Sequence, residues 1–179
     1  NRGTIFASTR FGNVLGSRGS VIPLFRRQIE NGGPITLTDP KMTRFVMTLE
    51  DAVQMVLTSV GFAIGGEVMI TKMPIARIED IAHVMRDRLP HKNKIEIVEI
   101  GAKPGEKMYE ELMNEEEVRR TFEYRDFYVT LSAFADNTSS RYSHLINCPR
   151  PVRPYNSAHE QAMTREELAD FLIKTGIVP

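Results

Sequence analysis

The stretch RFGNVLGSRGSVIPLFRRQIENGGPITLTDPKMTRFVMTLEDAV, residues 10–53, sets glycines, arginines and threonines around the start of a helix and decides how the chain is read. Asn13 follows a strand and a glycine, and Arg18, Gly19 and Ser20 lead into the next helix, so several donors point toward one helix N-terminus. Backbone amides and guanidinium groups converging on one point suit a doubly charged diphosphate, because each contact is a charge-assisted hydrogen bond in partly dry surroundings. On spacing alone, a strand-to-helix turn whose glycines only satisfy backbone geometry fits equally well. Arg44, between a turn and a strand, reads either as an ordinary surface charge or as a phosphate clamp. Lys103-Pro104-Gly105-Glu106-Lys107 places two cations and a carboxylate at a strand end and helix start, where they would hold a phosphate or ribose or simply cap the helix.

Working outward, TIFAST at residues 4–9 has the continuous character of a short buried strand. Ser20 is placed to cap the following helix, Pro23 sits in its first turn, and Gly32-Gly33 stops it. Short strands are expected at residues 35–38 and 44–47. Thr48-Leu49-Glu50-Asp51 resembles a capping box opening an amphipathic helix through Val53, Val56, Leu57 and Val60. A strand over EVMIT, a helix over residues 78–89 ended by Pro90, and an alternating strand KIEIVEI at residues 94–100 continue the order. A helix is expected from Glu106 to Met113, then a strand at residues 127–131. Residues 133–157, rich in Ser, Asn, Arg and Pro, read as extended, and Thr164-Arg165-Glu166-Glu167 fits a capping box for a last helix through Leu168, Phe171 and Leu172. Strands alternating with helices indicate an α/β or α+β fold with parallel pairing.

A chain of 179 residues can bury about 70 per cent of its unfolded surface, enough for one core with an appendage. With 23 charges of each sign the formal net charge is zero, so no basic excess argues for nucleic acid or an anionic membrane, and phosphate binding must be local. No apolar run approaches the roughly 18 residues that span a bilayer, and no signal-peptide core is present. The single cysteine, Cys148, has no internal disulfide partner, which fits a reducing compartment and a cytoplasmic location. No histidine has an obvious catalytic partner, no metal-ligand spacing occurs, and Glu115-Glu116-Glu117 facing Arg119-Arg120 reads as a solvated helix surface. There is no G-x-G-x-x-G, no G-x-x-x-x-G-K-[ST] and no Tyr-x-x-x-Lys, and the chain begins at Asn1, so a missing N-terminal segment is expected. The first strand would find its neighbours there or in another subunit, on which ground a homo-oligomer is expected.

RFGNVLGSRGSVIPLF (10–25), TDPKMTRFVMTLEDAV (38–53) and KPGEK (103–107), in this order, resemble the C-terminal half of the extended short-chain dehydrogenase/reductases that act on nucleotide sugars. Within them the likeness is to the capsule and flagellin-glycosylation branch of UDP-N-acetylglucosamine 4,6-dehydratases, some of which also invert C5. Tyr155-Asn156-Ser157 looks like the family's Y-x-S tail motif. The resemblance implies a Rossmann-type enzyme with a small mixed sheet, flanking helices and an extended tail. Such an enzyme oxidises a UDP-sugar at C4 with tightly held NADP or NAD, eliminates water across C5 and C6, and returns the hydride to C6. It implies that residues 1–132 are the nucleotide-sugar-binding part, that 133–179 are a tail ending in a helix, and that the cofactor loop and catalytic residues lie before this chain begins, so the chain alone carries no catalytic residue. Carried over by position, Asn13 matches a contact to the sugar diphosphate, Val21 packs near the uridine, and Thr36 lies near the uracil. Arg44 matches a phosphate clamp, Glu106 holds the uridine ribose, and Phe11 and Gly12 match the strand end that passes the nicotinamide. Lys103 stands where the family usually has arginine, giving a point charge instead of a planar fork. A C4 epimerase or reductase of the same superfamily, or a non-catalytic nucleotide-sugar-binding subunit, are the alternatives.

Overall fold

The computed structural model describes residues 3–134 and 140–179. From its start the chain forms β1 (Ser8–Arg10), β2 (Asn13–Val14), α1 (Val21–Glu30), β3 (Ile35–Leu37), β4 (Thr43–Met47) and α2 (Leu49–Phe62). It continues through β5 (Val68–Thr71), β6 (Ile75–Arg77), α3 (Ile78–Arg88), β7 (Ile97–Glu99) and β8 (Glu111–Met113). Then come α4 (Glu115–Val118), β9 (Thr121–Tyr124), β10 (Phe127–Thr130), a 3-10 segment at Ser140–Leu145, β11 (Tyr155–Asn156) and α5 (Arg165–Lys174). The fold is mixed α/β with small mixed sheets. It divides into two compact units whose segments alternate along the chain: Asn1–Phe11, Leu49–Met73 and Glu111–Asn156 form one, and Gly12–Thr48, Pro74–Glu110 and Ser157–Pro179 the other.

The second unit carries the functional candidates other than Phe11. Its sheets are β2-β4-β6, with β2 parallel to β4 and β6 antiparallel, and the parallel pair β3-β7. In α1 the residues Ile22, Phe25 and Ile29 recur at helical spacing and are all buried, which turns one face of the helix into the core. The helix stops where expected: Gly32 and Gly33 adopt φ of +87° and +83°, a region costly for side-chain-bearing residues. Ile81 and Met85 of α3 share that core with Leu168 and Leu172 of α5. The expected capping box of α5 forms, with Thr164 accepting from the Glu167 amide and Glu167 accepting from the Thr164 amide. Arg165 Nη2 lies 3.0 Å from Asp80 Oδ1, which ties α5 to α3.

The first unit is a sheet in the order β1-β5-β10-β9, with β1 parallel to β5 and the others antiparallel, over a core that includes Met69, Phe127, Val129, Leu131 and Leu145. The first strand is shorter than TIFAST and not buried: Ile5 and Phe6 are exposed, and β1 is an edge. The helix expected from Glu106 to Met113 does not form. Residues 111–113 are instead β8, with Met113 paired to Tyr155 of β11, so a cross-chain partner overrides local helix propensity. In α2 the stripe Val53, Val56, Leu57 and Val60 is exposed, and the buried residues are Ala52, Met55 and Ser59; the helix exists as expected but with its more apolar face outward. The acidic run is not wholly solvated either, because Glu117 is buried against Arg10 at 2.8 Å. Strands β2, β6 and β9 stand where the sequence predicts none. Of the segment expected to be extended, residues 135–139 lie outside the described residues.

Candidate functional site

Within the second unit a cleft of about 280 Å³ opens beside the start of α1. Asn13, Val21, Thr36, Arg44, Lys103 and Glu106 all line it. These residues come from widely separated segments, and the fold of one unit brings them to one concavity. Phe11 and Gly12 are not among its lining residues. Gly12 has a packing role: a Cβ built there would lie 2.4 Å from Phe45 Cβ and 2.5 Å from the Phe45 carbonyl oxygen, so only glycine lets β2 close on β4.

The floor of the cleft is apolar, with Phe25, Leu37, Met42 and Ile81 supplied by the unit's core. Its rim is polar. Ser20 occupies the N-cap position of α1, yet its side chain makes no capping bond. Its hydroxyl is buried, lies on the cleft and has no partner among the described residues. A buried hydroxyl left unpaired costs about 1–3 kcal/mol, a cost that a ligand acceptor would remove. Pro23 in the first turn has no amide to offer, which leaves those of Val21 and Ile22, both on the cleft, as the donors of a positive helix end.

Thr36 is oriented from behind by Gln28, whose Nε2 donates to Thr36 Oγ1 at 2.7 Å while its Oε1 accepts from the Thr36 amide at 3.1 Å. With its oxygen accepting from Gln28, the Thr36 hydroxyl keeps its own proton for an acceptor in the cleft. Arg44 reaches backbone carbonyls: Nη1 donates to Thr43 O at 2.7 Å and Met108 O at 3.4 Å, and Nη2 to Lys107 O at 2.7 Å. It thereby staples the segment that bears Lys103 and Glu106. Of its five N–H groups, Nε–H and one on Nη2 have no partner among the described residues. Burial lowers the Arg44 pKa from its usual value while Glu110 and Glu106 pull it back up. The Lys103–Glu106 turn is closed by the Glu106 amide on Lys103 O and by Glu106 Oε2 accepting from the Lys103 amide, each at 3.1 Å.

Several residues that matter here carried no site reading from sequence. Glu110 accepts from Asn13 Nδ2 at 2.7 Å and from the Phe45 amide at 3.1 Å. Ser157 Oγ accepts from the Glu110 amide at 2.9 Å and lies 2.9 Å from Thr43 Oγ1. In the other unit the Tyr155 hydroxyl accepts from the Met73 amide at 2.8 Å. The tail motif thus supplies two backbone staples. Asn13 and Glu110 stand 97 residues apart, so no local spacing could have paired them.

Among known proteins, the family model described as polysaccharide biosynthesis protein matches residues 1–132. The chain is 42% identical over 176 residues to an uncharacterized membrane protein of Methanocaldococcus jannaschii, MJ1061, covering 96% of this chain and 50% of that protein. It is 43% identical over 173 residues to a UDP-glucose 4-epimerase of Rickettsia massiliae, covering 95% of this chain and 50% of the epimerase. The capsular polysaccharide biosynthesis protein CapD of Staphylococcus aureus is 45% identical over 130 residues, 72% of this chain and 22% of CapD. The X-ray structure of Pen from Bacillus thuringiensis superposes with a TM-score of 0.83 at 39% identity, covering 98% of this chain and 50% of that one. The chain therefore spans about half the length of such relatives. Among the described residues no helix is long and apolar enough to cross a membrane. With the motifs around Asn13, Arg44 and Glu106 in order and the model matched across most of the sequence, the chain belongs to the polysaccharide biosynthesis protein family, a branch of the extended short-chain dehydrogenase/reductases.

Proposed function

We propose that this chain is the sugar-nucleotide-binding part of a cytoplasmic UDP-N-acetylglucosamine 4,6-dehydratase serving surface-polysaccharide synthesis. The observation that carries the reading is the convergence of Asn13, Val21, Thr36, Arg44, Lys103 and Glu106 on one cleft whose rim holds an unpaired buried hydroxyl, that of Ser20. The apolar floor suits the face of a nucleoside. The open amides of α1, the spare N–H groups of Arg44 and the Lys103 ammonium suit a diphosphate, and the exposed Glu106 carboxylate suits the two hydroxyls of a ribose.

In this reading NADP or NAD, held in the main by a part of the protein outside this chain, would supply the hydride-transfer chemistry at the sugar. Phe11 and Gly12 would mark the strand end that passes the nicotinamide, Gly12 being also required by its packing against Phe45, and the chain's further contribution is to bind and orient the sugar nucleotide. It presents the hexose at a fixed place and keeps one face of the nucleoside dry. A homo-oligomer is part of the same reading, since β1 is an edge strand. The relatives named UDP-glucose 4-epimerase favour a second activity, C4 epimerisation on the same cleft. Incubating the full-length protein with UDP-N-acetylglucosamine separates the two: a 4-keto-6-deoxy product supports the dehydratase, and the C4 epimer without it supports the epimerase. Neither product, with the nucleotide still bound, would leave a binding subunit.

A further inference from the structure

Gln28 lies about two turns along α1 from Val21 and one from Leu24, both of which line the cleft, and is not itself on its wall. In β3 the side chains of Ile35 and Leu37 are buried while Thr36 between them is half-buried, so Thr36 projects from the opposite face of the strand. The Ile35 amide donates to Glu96 O and the Ile100 amide to Leu37 O, which turns those peptide groups toward β7 and leaves the Thr36 amide on the open edge of β3. Gln28 meets it there. A backbone N–H can only donate, so the Gln28 oxygen must face the Thr36 amide, at 3.1 Å, and this fixes the other half of the side chain: Nε2 donates to Thr36 Oγ1 at 2.7 Å. An oxygen accepting from Nε2 cannot turn its own proton to the same atom. The Thr36 proton therefore points away from Gln28. With Gln28 behind the wall and Thr36 on it, the cleft carries a hydrogen-bond donor at this point.

We propose that Gln28 is a positioning residue for base selection: by holding Thr36 Oγ1 as an acceptor on one side, it makes the hydroxyl a fixed donor on the other. That donor takes the C4 carbonyl oxygen of uracil and turns away the amino group that cytosine carries in its place. This rests on the reading of the cleft as a nucleotide-sugar site and goes beyond it, since the resemblance gives Thr36 a place near the base but no part in choosing it. Uracil and cytosine share one ring and differ at C4, an acceptor in the first and a donor in the second. A threonine hydroxyl free to rotate serves both, because it accepts from an amino group as readily as it donates to a carbonyl. Gln28 removes that choice.

The test titrates the full-length protein calorimetrically with UDP and with CDP, as wild type, Gln28→Glu, Gln28→Lys and Thr36→Val. Wild type should bind UDP about tenfold or more tighter than CDP, the scale of setting two donors face to face in place of a donor and an acceptor. In Gln28→Glu the carboxylate accepts from both the Thr36 amide and the Thr36 hydroxyl, so Oγ1 offers the base only lone pairs. The preference for UDP should then fall about fivefold or more. The added charge acts on both diphosphates alike and cancels in the ratio. Gln28→Lys still donates to Oγ1 and should keep the wild-type preference, whereas Thr36→Val removes the donor and should lose most of it. Both affinities falling together in Gln28→Glu, with their ratio unmoved, is what a merely structural role gives and overturns the proposal. So does a preference lost in Gln28→Lys or kept in Thr36→Val, and these two decide the matter if Gln28→Glu fails to fold. Equal binding of UDP and CDP by wild type overturns the proposal and leaves the nucleotide reading standing. A wild type that binds neither sinks that reading and this inference with it.

Discussion

Replacing Gly12 with alanine tests whether this glycine serves strand packing or a cofactor. The added Cβ would meet Phe45 Cβ at 2.4 Å and Phe45 O at 2.5 Å, about 1 Å inside ordinary contact, and the neighbour is backbone rather than a flexible side-chain end. Either β2 or β4 must move. Overpacking of this kind costs about 1–3 kcal/mol. The shift also strains the Asn13 bond to Phe45 O and the Leu15 amide bond to Met47 O at 2.9 Å, each worth about 1 kcal/mol. The sum is on the order of 3 kcal/mol, which for a chain of this length lowers Tm by roughly 6–12 °C. Differential scanning calorimetry without any nucleotide reads it directly. A Gly12→Ala variant melting within about 2 °C of wild type, yet unable to hold NADP or NAD, would refute the packing argument and return Gly12 to the cofactor.

Further outcomes follow from the same contacts. Ser20→Ala should leave Tm unchanged or raise it, because it deletes a buried hydroxyl that has no partner, while weakening UDP-N-acetylglucosamine binding severalfold; a lowered Tm with unaltered Kd contradicts this. Arg44→Lys should weaken binding about tenfold or more by calorimetry, since an ammonium cannot span Thr43 O and Lys107 O and still present a fork; an equal Kd counts against it. In the first unit, burial alone would raise the Glu117 pKa, but hydrogen bonds from Arg10 and the Asn114 amide and the charges of Arg10 and Arg120 outweigh it and hold the carboxyl below its ordinary value of 4.5. The stability it contributes is therefore whole above about pH 4.5 and is lost as pH falls below it, and urea titrations should show a shallower acid loss in Glu117→Gln. On α2, Met55→Ala should cost about 2–4 kcal/mol and Val60→Ser less than about 0.5 kcal/mol, because the first is buried and the second exposed; comparable losses in urea unfolding of this chain would mean the faces are reversed.

How much the sequence discloses depends on how local each interaction is. The ends of α1 and α5 are legible because Pro23, Gly32-Gly33 and the Thr164–Glu167 pair act within a few residues of themselves. The face of α2 is not, since periodicity reports that a stripe exists and says nothing about which layer lies beneath it. The β9–β10 hairpin escaped because its turn carries Arg125 at φ +53° where a glycine or asparagine would have announced it. Likewise the helix expected through residue 113 lost to the pairing of Met113 with Tyr155. At the site, charge-bearing residues in a motif could be picked out one by one. Their supports could not: Gln28 behind Thr36, Glu110 behind Asn13 and Ser157 behind Glu110 have meaning only once the chain has folded back on itself.

Everything proposed for this chain requires that the cleft beside α1 grip a sugar nucleotide. A crystal structure of the full-length protein soaked with UDP-N-acetylglucosamine tests it most directly. A nucleotide is expected in this cleft, with a diphosphate oxygen within hydrogen-bond reach of Arg44 and a partner for Ser20 Oγ. A nucleotide seated elsewhere, with Ser20 still unpaired and Arg44 still committed only to carbonyls, would contradict it.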